Sequence, residues 1–247
     1  MRRLFAYFEF SSLNSNIAPA TFWFFVETVL SKDLFDDAVK EVSSATRASE
    51  NPPRFDQKRL LNSPLLQSIY AETLRMYVSV LMLRKTRQES QLGGWVIPKS
   101  QHIAVCNYSE HMNEKLWNPE GSADMHPVGE FWGRRFLTFS DAKGMVEEPA
   151  PTESSELNQR AHAPRFSSEG LSCKWFPFGF GERVCPGRAF AKHQMLVAFA
   201  LLSSTFDIEL QLNPELKPKP NMKHFGYGVM PPETKTPFRI RRRVCSL

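Results

Sequence analysis

The 247-residue chain is 42% hydrophobic and 23% charged, enough apolar content to bury a sizeable core in one large or two small domains and too much for a disordered chain. Its net charge of +5 is spread along the sequence apart from Arg239, Arg241, Arg242 and Arg243, which read as a solvated end, so nucleic acid is not the expected partner. Cys106, Cys173, Cys185 and Cys245 are spaced too irregularly for a disulfide framework or a paired zinc knuckle, and point to a reducing compartment.

Met1-Arg2-Arg3 precedes an apolar run that Glu9 interrupts, and no small-residue cleavage site follows, so secretion is not expected. The run around Phe22 to Val26 falls far short of the ~20 apolar residues of a membrane span. Two readings stay open for residues 1–30. Asn16 caps a helix that Pro19 starts, or one long helix contains Pro19, which then removes a backbone hydrogen bond at a cost of about 3 kcal/mol. Leu34, Phe35, Ala38, Val39 and Val42 give helical spacing over 33–47, ending in a polar loop at 49–53.

The clearest helix covers 63–79, with Ser63 as N-cap and Pro64 at its first position. At roughly 100° per residue, Leu65, Ile69 and Met76 fall within about 40° of one another, and Glu72 lies only about 20° outside them. A carboxylate aimed near a core needs partners, and Arg75 one turn on is the nearest. An exposed i,i+3 pair worth a few tenths of a kcal/mol is the plainer reading.

Over 80–105, β-branched residues and Gly93-Gly94 suggest a hairpin ending in Trp95-Val96-Ile97-Pro98-Lys99. Residues 111–127 read as loop and short helix, and 137–172 as a polar surface loop. Residues 190–202 read as a largely buried helix, and the remainder as short strands broken by prolines.

Between these lies Phe178-Gly179-Phe180-Gly181-Glu182-Arg183-Val184-Cys185-Pro186-Gly187. Pro186 suits the first turn of a helix, which makes Cys185 the candidate N-cap. A sulfur there feels the positive end of the dipole and the unpaired N–H groups of Gly187 and Arg188, which favours thiolate. The glycines let backbone approach a large flat partner, the phenylalanines give apolar cover, and the Arg183 fork suits a carboxylate.

These residues match, position for position, the Phe-x-x-Gly-x-Arg-x-Cys-x-Gly haem-binding signature, so the chain resembles the cytochrome P450 (haem-thiolate monooxygenase) family. The resemblance implies a mainly α fold with small β-sheets, the C-terminal half of the cytochrome P450 fold, as a single partial domain over 1–247. It implies haem b with Cys185 as the thiolate ligand of the iron. Arg183 and Arg84 would hold the propionates, with Arg87 as an alternative to Arg84, while Phe178 would pack on ring and sulfur and Gly187 would complete the binding loop.

Glu72-Thr73-Leu74-Arg75 matches the family's Glu-x-x-Arg motif, and Phe131-Trp132-Gly133-Arg134-Arg135-Phe136 its Phe-x-Pro-x-Arg-Phe segment. Glu72, Arg75 and Arg135 would form a structural triad. Gly133 replaces the family's proline, implying a less rigid loop. Asn14-Ser15-Asn16-Ile17-Ala18-Pro19-Ala20-Thr21-Phe22-Trp23 looks like the version of the I helix found in the branch of the bile-acid sterol hydroxylases and prostacyclin synthase. On that likeness Pro19 lies within the helix and Asn16 faces the oxygen ligand; Thr21 is not carried over as catalytic.

The implied function is monooxygenation of a small hydrophobic, sterol- or lipid-like substrate, with electrons from an NADPH-dependent flavoprotein reductase. Lys174, Arg188 and Lys192 would form its docking face, or else a solvated surface. Rival expectations are a truncated, non-catalytic haem-binding fragment and a peroxide isomerase of the prostacyclin synthase type. Zinc held by Cys173, Cys185 and His193 is the weakest reading, because the spacing lacks a close ligand pair. The family works at the cytosolic face of the endoplasmic reticulum membrane, held by an N-terminal anchor; this chain, without one, is expected to be cytoplasmic if stable alone.

Overall fold

The computed structural model describes residues 2–47, 53–119, 125–139, 164–212 and 217–243, with side chains of the first helix from Ser15 onward. Helix α1 (Arg2–Leu30) passes through Pro19 without a break, which decides between the two readings of this stretch. The Thr21 hydroxyl donates to the Ile17 carbonyl at 2.8 Å beside it. Helix α2 (Lys32–Ser44) buries Leu34, Ala38 and Val42 along one face, and leads into β1 (Thr46–Arg47), which pairs with β2 (Arg54–Phe55).

After the short α3 (Gln57–Leu61), α4 (Pro64–Tyr77) forms the centre of the molecule, buried on nearly every side. Ser63 does occupy the N-cap position, but its hydroxyl turns back to the Arg59 carbonyl and makes no cap bond. The cap comes from α2: both carboxylate oxygens of Glu41 accept N–H groups of the first turn, from Leu65 and Leu66 at 3.0 Å each. Those N–H groups have no partner inside the helix, and an anionic acceptor there also complements the dipole.

Strand β3 (Val78–Lys85) continues directly from α4. Next come β4 (Ser90–Leu92) and β5 (Trp95–Ile97), joined by Gly93 and Gly94 with φ of 57° and 84°. Two consecutive positive φ values make the tight hairpin turn that glycine adopts without strain, as the Gly-Gly pair predicts. Strand β6 (His102–Cys106) then returns antiparallel to β3. Helices α5 (Asn107–His111) and α6 (Glu114–Trp117) follow.

Of the span read as surface loop, Leu137–Thr138 (β7) pairs with Arg165–Phe166 (β8), and 140–163 lie outside the described residues. Helix α7 (Arg188–Thr205) buries Met195, Leu196, Phe199 and Ala200 as a stripe, while Phe190 and Leu201 stay exposed. It is therefore buried on one side, not all round.

Strand β9 (Phe206–Leu210) pairs with β11 (Phe238–Arg242), and β10 (Tyr227–Val229) adds to the free side of β3, giving the sheet order β10–β3–β6. The architecture is thus mainly α with small antiparallel sheets, as expected. The core lies where α1, α2, α4 and α7 meet, around Trp23, Phe24, Leu66, Ile69 and Phe199. The rings of Phe24 and Phe199 cross edge to face at 5.1 Å. The turn after β10 is tied into this core: Trp23 Nε1 donates to the Met230 carbonyl at 2.7 Å, and Met230 N–H donates to the Tyr77 carbonyl at 2.9 Å. Among the described residues, no helix is long and apolar enough to cross a membrane.

Candidate functional site

Among the described residues, helix α4 carries the most buried charges. Glu72 and Arg75 have no exposed surface. Arg75 Nε and Nη2 donate to the two Glu72 oxygens at 2.7 and 2.9 Å, the bidentate geometry a guanidinium favours. Arg135 Nε adds a second cation to the same carboxylate at 3.1 Å, and Trp132 N–H donates to it at 3.0 Å. Burial lowers the pKa of Arg135 from its ordinary value, and Glu72 opposes that shift.

Most of the remaining donors of both arginines go to backbone carbonyls, and Arg75 also meets the sulfurs of Met76 and Met112. Arg75 reaches those of His111 at 2.7 Å and Val128 at 2.8 Å. Arg135 reaches those of His126 and Pro127 at 3.3 and 3.2 Å. Buried ions are tolerable only when paired and hydrogen-bonded in this way. The three residues expected as a triad thus lie together, and they staple the segment around 126–135 to α4.

Gly133 was expected to loosen that segment, and the structure places it against the core. A Cβ at this position would lie 2.7 Å from Leu34 Cδ2 and 3.2 Å from Ile69 Cγ1. The loop packs on α2 and α4 closely enough that only glycine fits without a shift, so close contact replaces the stiffness a proline would give.

The cysteine loop is a closed turn. Cys185 N–H donates to the Phe178 carbonyl at 2.9 Å, and Val184 N–H to the Gly181 carbonyl at 3.2 Å across one turn of 3₁₀ helix at Gly181–Arg183. Gly179 and Gly181 take φ of 75° and 69°, which is what the glycines are for. Phe178 packs on the core, while Cys185 is exposed.

Helix α7 begins only at Arg188, with Gly187 as its cap residue, so Cys185 is not the N-cap that the Pro186 argument predicts. Residues 186–187 form a turn ahead of the helix. Gly187 stays close to the sulfur, since a Cβ on it would lie 3.7 Å from Cys185 Sγ. Cys185 is also near α4: the Tyr70 phenol is pushed up in pKa by burial and, second, by Cys185.

Arg84 of β3 sits beside this loop, its guanidinium 5.9 Å from the Phe180 ring centre, and Met82 Sδ would meet a Cβ on Gly179 at 3.4 Å. Arg183 is exposed on the 3₁₀ turn. Asn16 lies elsewhere, on α1 against β10, where its Oδ1 accepts Val229 N–H at 2.9 Å.

The basic face expected near the cysteine is partly turned inward. Lys192 Nζ donates to Gln67 Oε1 at 2.5 Å, with its pKa lowered by burial, and Lys174 Nζ donates to the Leu116 carbonyl at 3.2 Å. Among the described residues, no three of His, Cys, Asp and Glu gather as a metal-ion site, which removes the zinc reading.

Two residues with a part in the site carry little sequence signal. Glu41, capping α4, is a polar position on an amphipathic helix. His111 ends the five-residue α5 fully buried, and burial together with Arg75 pushes its imidazole down to about 3. In sequence His111 sits among polar neighbours, Ser109, Glu110, Asn113 and Glu114, which give no sign of its burial.

The family model described as Cytochrome P450 matches residues 15–122 and 159–238. The cytochrome P450 monooxygenase fsoE of Humicola fuscoatra is 37% identical over 93% of this chain and 40% of its own length. The cholesterol 7-alpha-monooxygenase of Cricetulus griseus is 28% identical over 92% of this chain and 42% of its own. The crystal structure of a cytochrome P450 (CYP102L1) superposes over 92% of this chain and 42% of that one, with a TM-score of 0.64 at 22% identity. The chain therefore spans roughly two fifths of the length of the proteins it matches.

Proposed function

The chain belongs to the cytochrome P450 family, and from that premise we propose that it is the haem-binding portion of a monooxygenase acting on a sterol- or lipid-like substrate. The observation that carries the reading is an exposed cysteine on a closed, glycine-turned loop, set beside a helix whose buried Glu72–Arg75–Arg135 network is fully satisfied. The donor set suits the group: one exposed thiol carrier, with arginines on the neighbouring strand and in the same loop, matches one iron in an anionic macrocycle better than a bare metal ion.

In this reading Cys185 Sγ would hold the haem iron. Arg84 and Arg183 would bind the propionates through their guanidinium forks. Phe178 and Gly187 would shape the loop around the sulfur, and Asn16, whose Oδ1 accepts Val229 N–H, would lie on the side where dioxygen binds. Haem supplies the activation of dioxygen. The chain's own residues hold it, orient the sulfur and keep the loop rigid, while electrons come from an NADPH-dependent flavoprotein reductase. The sterol assignment rests on the Asn16-to-Trp23 stretch and on the likeness to the cholesterol-hydroxylating relative. Adding sterols or fatty acids to haem-loaded protein and following the Soret band tests it; a shift with neither class would refute the substrate class.

A second reading is favoured by exposure. Leu83, Trp95 and Tyr227 are 61%, 78% and 85% exposed on a chain spanning about two fifths of its relatives, which suits a haem-binding fragment without turnover. NADPH-dependent product formation by the 247-residue chain with a reductase would exclude it.

A further inference from the structure

One buried side chain with no part in the scheme above joins the charged network to the cysteine loop. Nδ1 of His111 lies 3.1 Å from the Arg75 carbonyl oxygen, and Nε2 accepts Phe176 N–H at 3.2 Å. A carbonyl can only accept and a backbone N–H can only donate, so the two partners fix the tautomer: Nδ1 carries the hydrogen and Nε2 is the acceptor. An imidazolium would face Phe176 N–H with a second donor, so the bridge needs a neutral ring. The Arg75 guanidinium returns the contact by donating to the His111 carbonyl at 2.7 Å.

Phe176 is where the loop begins. Its carbonyl accepts Gly179 N–H at 3.0 Å, and its ring meets that of Phe180 edge to face at 5.7 Å. Two residues on, the Phe178 carbonyl holds Cys185 N–H. Trp175 Nε1 makes a parallel tie to α4, donating to the Ala71 carbonyl at 3.1 Å. The start of the loop is thus pinned to one helix at Ala71 directly and at Arg75 through an imidazole.

We propose that His111 is a positioning residue for Cys185, acting through Phe176 N–H to transmit the fixed orientation of α4 to the loop that carries the sulfur. Its value to the chemistry rests on the reading of Cys185 as the haem ligand; the bridge itself does not, and its test needs no haem.

The 247-residue chain is compared with its His111→Gln, His111→Asn and His111→Phe variants. Hydrogen exchange is followed over 176–185, with 195–200 in α7 as reference, together with alkylation of Cys185, separated from Cys173 by peptide mapping. Gln can place an oxygen near the Nε2 position, whereas Asn is too short and Phe fills the space without a polar atom. Loss of one hydrogen bond should speed exchange and alkylation in the Asn and Phe variants by about tenfold, with Gln within about twofold of wild type. Equal rates in all four proteins would overturn the proposal, as would a rise spread evenly over 176–185 and 195–200. A wild type that shows the expected pattern yet takes up no haem refutes the haem reading and leaves the positioning role standing.

Discussion

Replacing Glu72 by Gln removes one negative charge from beneath two guanidinium groups and changes almost nothing in size. The carboxylate accepts from Arg75 at 2.7 and 2.9 Å, from Arg135 at 3.1 Å and from Trp132 N–H at 3.0 Å. In Glu72→Gln one oxygen becomes an NH₂ group that faces donors, and two buried cations lose their counter-ion. Breaking a buried pair from one side costs about 3–5 kcal/mol, because the remaining charge stays desolvated. That is a large part of the roughly 5–15 kcal/mol by which domains are stable. Urea unfolding, followed by circular dichroism and by the fluorescence of Trp117 and Trp132, measures it. With a slope of about 2 kcal/mol/M, the midpoint should fall by about 1.5–2.5 M at unchanged slope. A fall corresponding to less than about 1 kcal/mol would mean that the network is wet and screened, and would refute the reasoning.

Three further outcomes follow from the same packing and charges. Gly133→Ala puts a Cβ into Leu34 and Ile69 and should cost about 1–3 kcal/mol in urea unfolding, with part recovered in the double variant Gly133→Ala, Leu34→Ala; equal costs with and without Leu34 would contradict the contact. Gly228→Ala, at φ 130° and with its Cβ driven into Asn16 Oδ1, should free the turn after β10 and raise hydrogen exchange at Val229 while leaving β6 unchanged. His111, pushed from 6.5 to about 3 by burial and by Arg75, stays neutral in the fold while the unfolded chain takes up a proton. Its contribution is therefore fully present above pH 6.5 and is lost as pH falls towards 3, at up to about 1.4 kcal/mol per pH unit. Stability measured between pH 6.5 and 5 should show that slope in wild type and lose it in His111→Gln.

What was legible in the sequence is what local spacing controls. Pro64 starts α4 and Gly93-Gly94 turns a hairpin because a fixed or positive φ is a property of the residue itself. The near-core angle of Glu72 raised a buried ion pair beside the plainer exposed one, because helical periodicity carries direction. Sequence order plus resemblance extended that pair to Arg135, 63 residues away. Partners brought by tertiary structure left no such trace. Nothing in the stretch around Ser63 shows that Glu41, 22 residues earlier, caps the helix in its place. Nothing near Asn16 points to Val229, 213 residues on. The long α1 shows the converse: Pro19 reads locally as a helix start or an internal residue alike, and the burial of Ala20, Trp23 and Phe24 in the core outweighs the lost backbone bond. Cys185 misleads in a related way, since Pro186 has the φ for a helix but the chain uses it in a turn ahead of one.

We propose Cys185 as the haem ligand, on a loop built to present it. Wild type and Cys185→Ala are each incubated with haem, reduced, and exposed to carbon monoxide, and the difference spectra are compared. A thiolate-type band is expected in wild type and not in Cys185→Ala, with unfolding midpoints of the two haem-free chains close together because the residue is exposed. The same thiolate-type band in both proteins would contradict it.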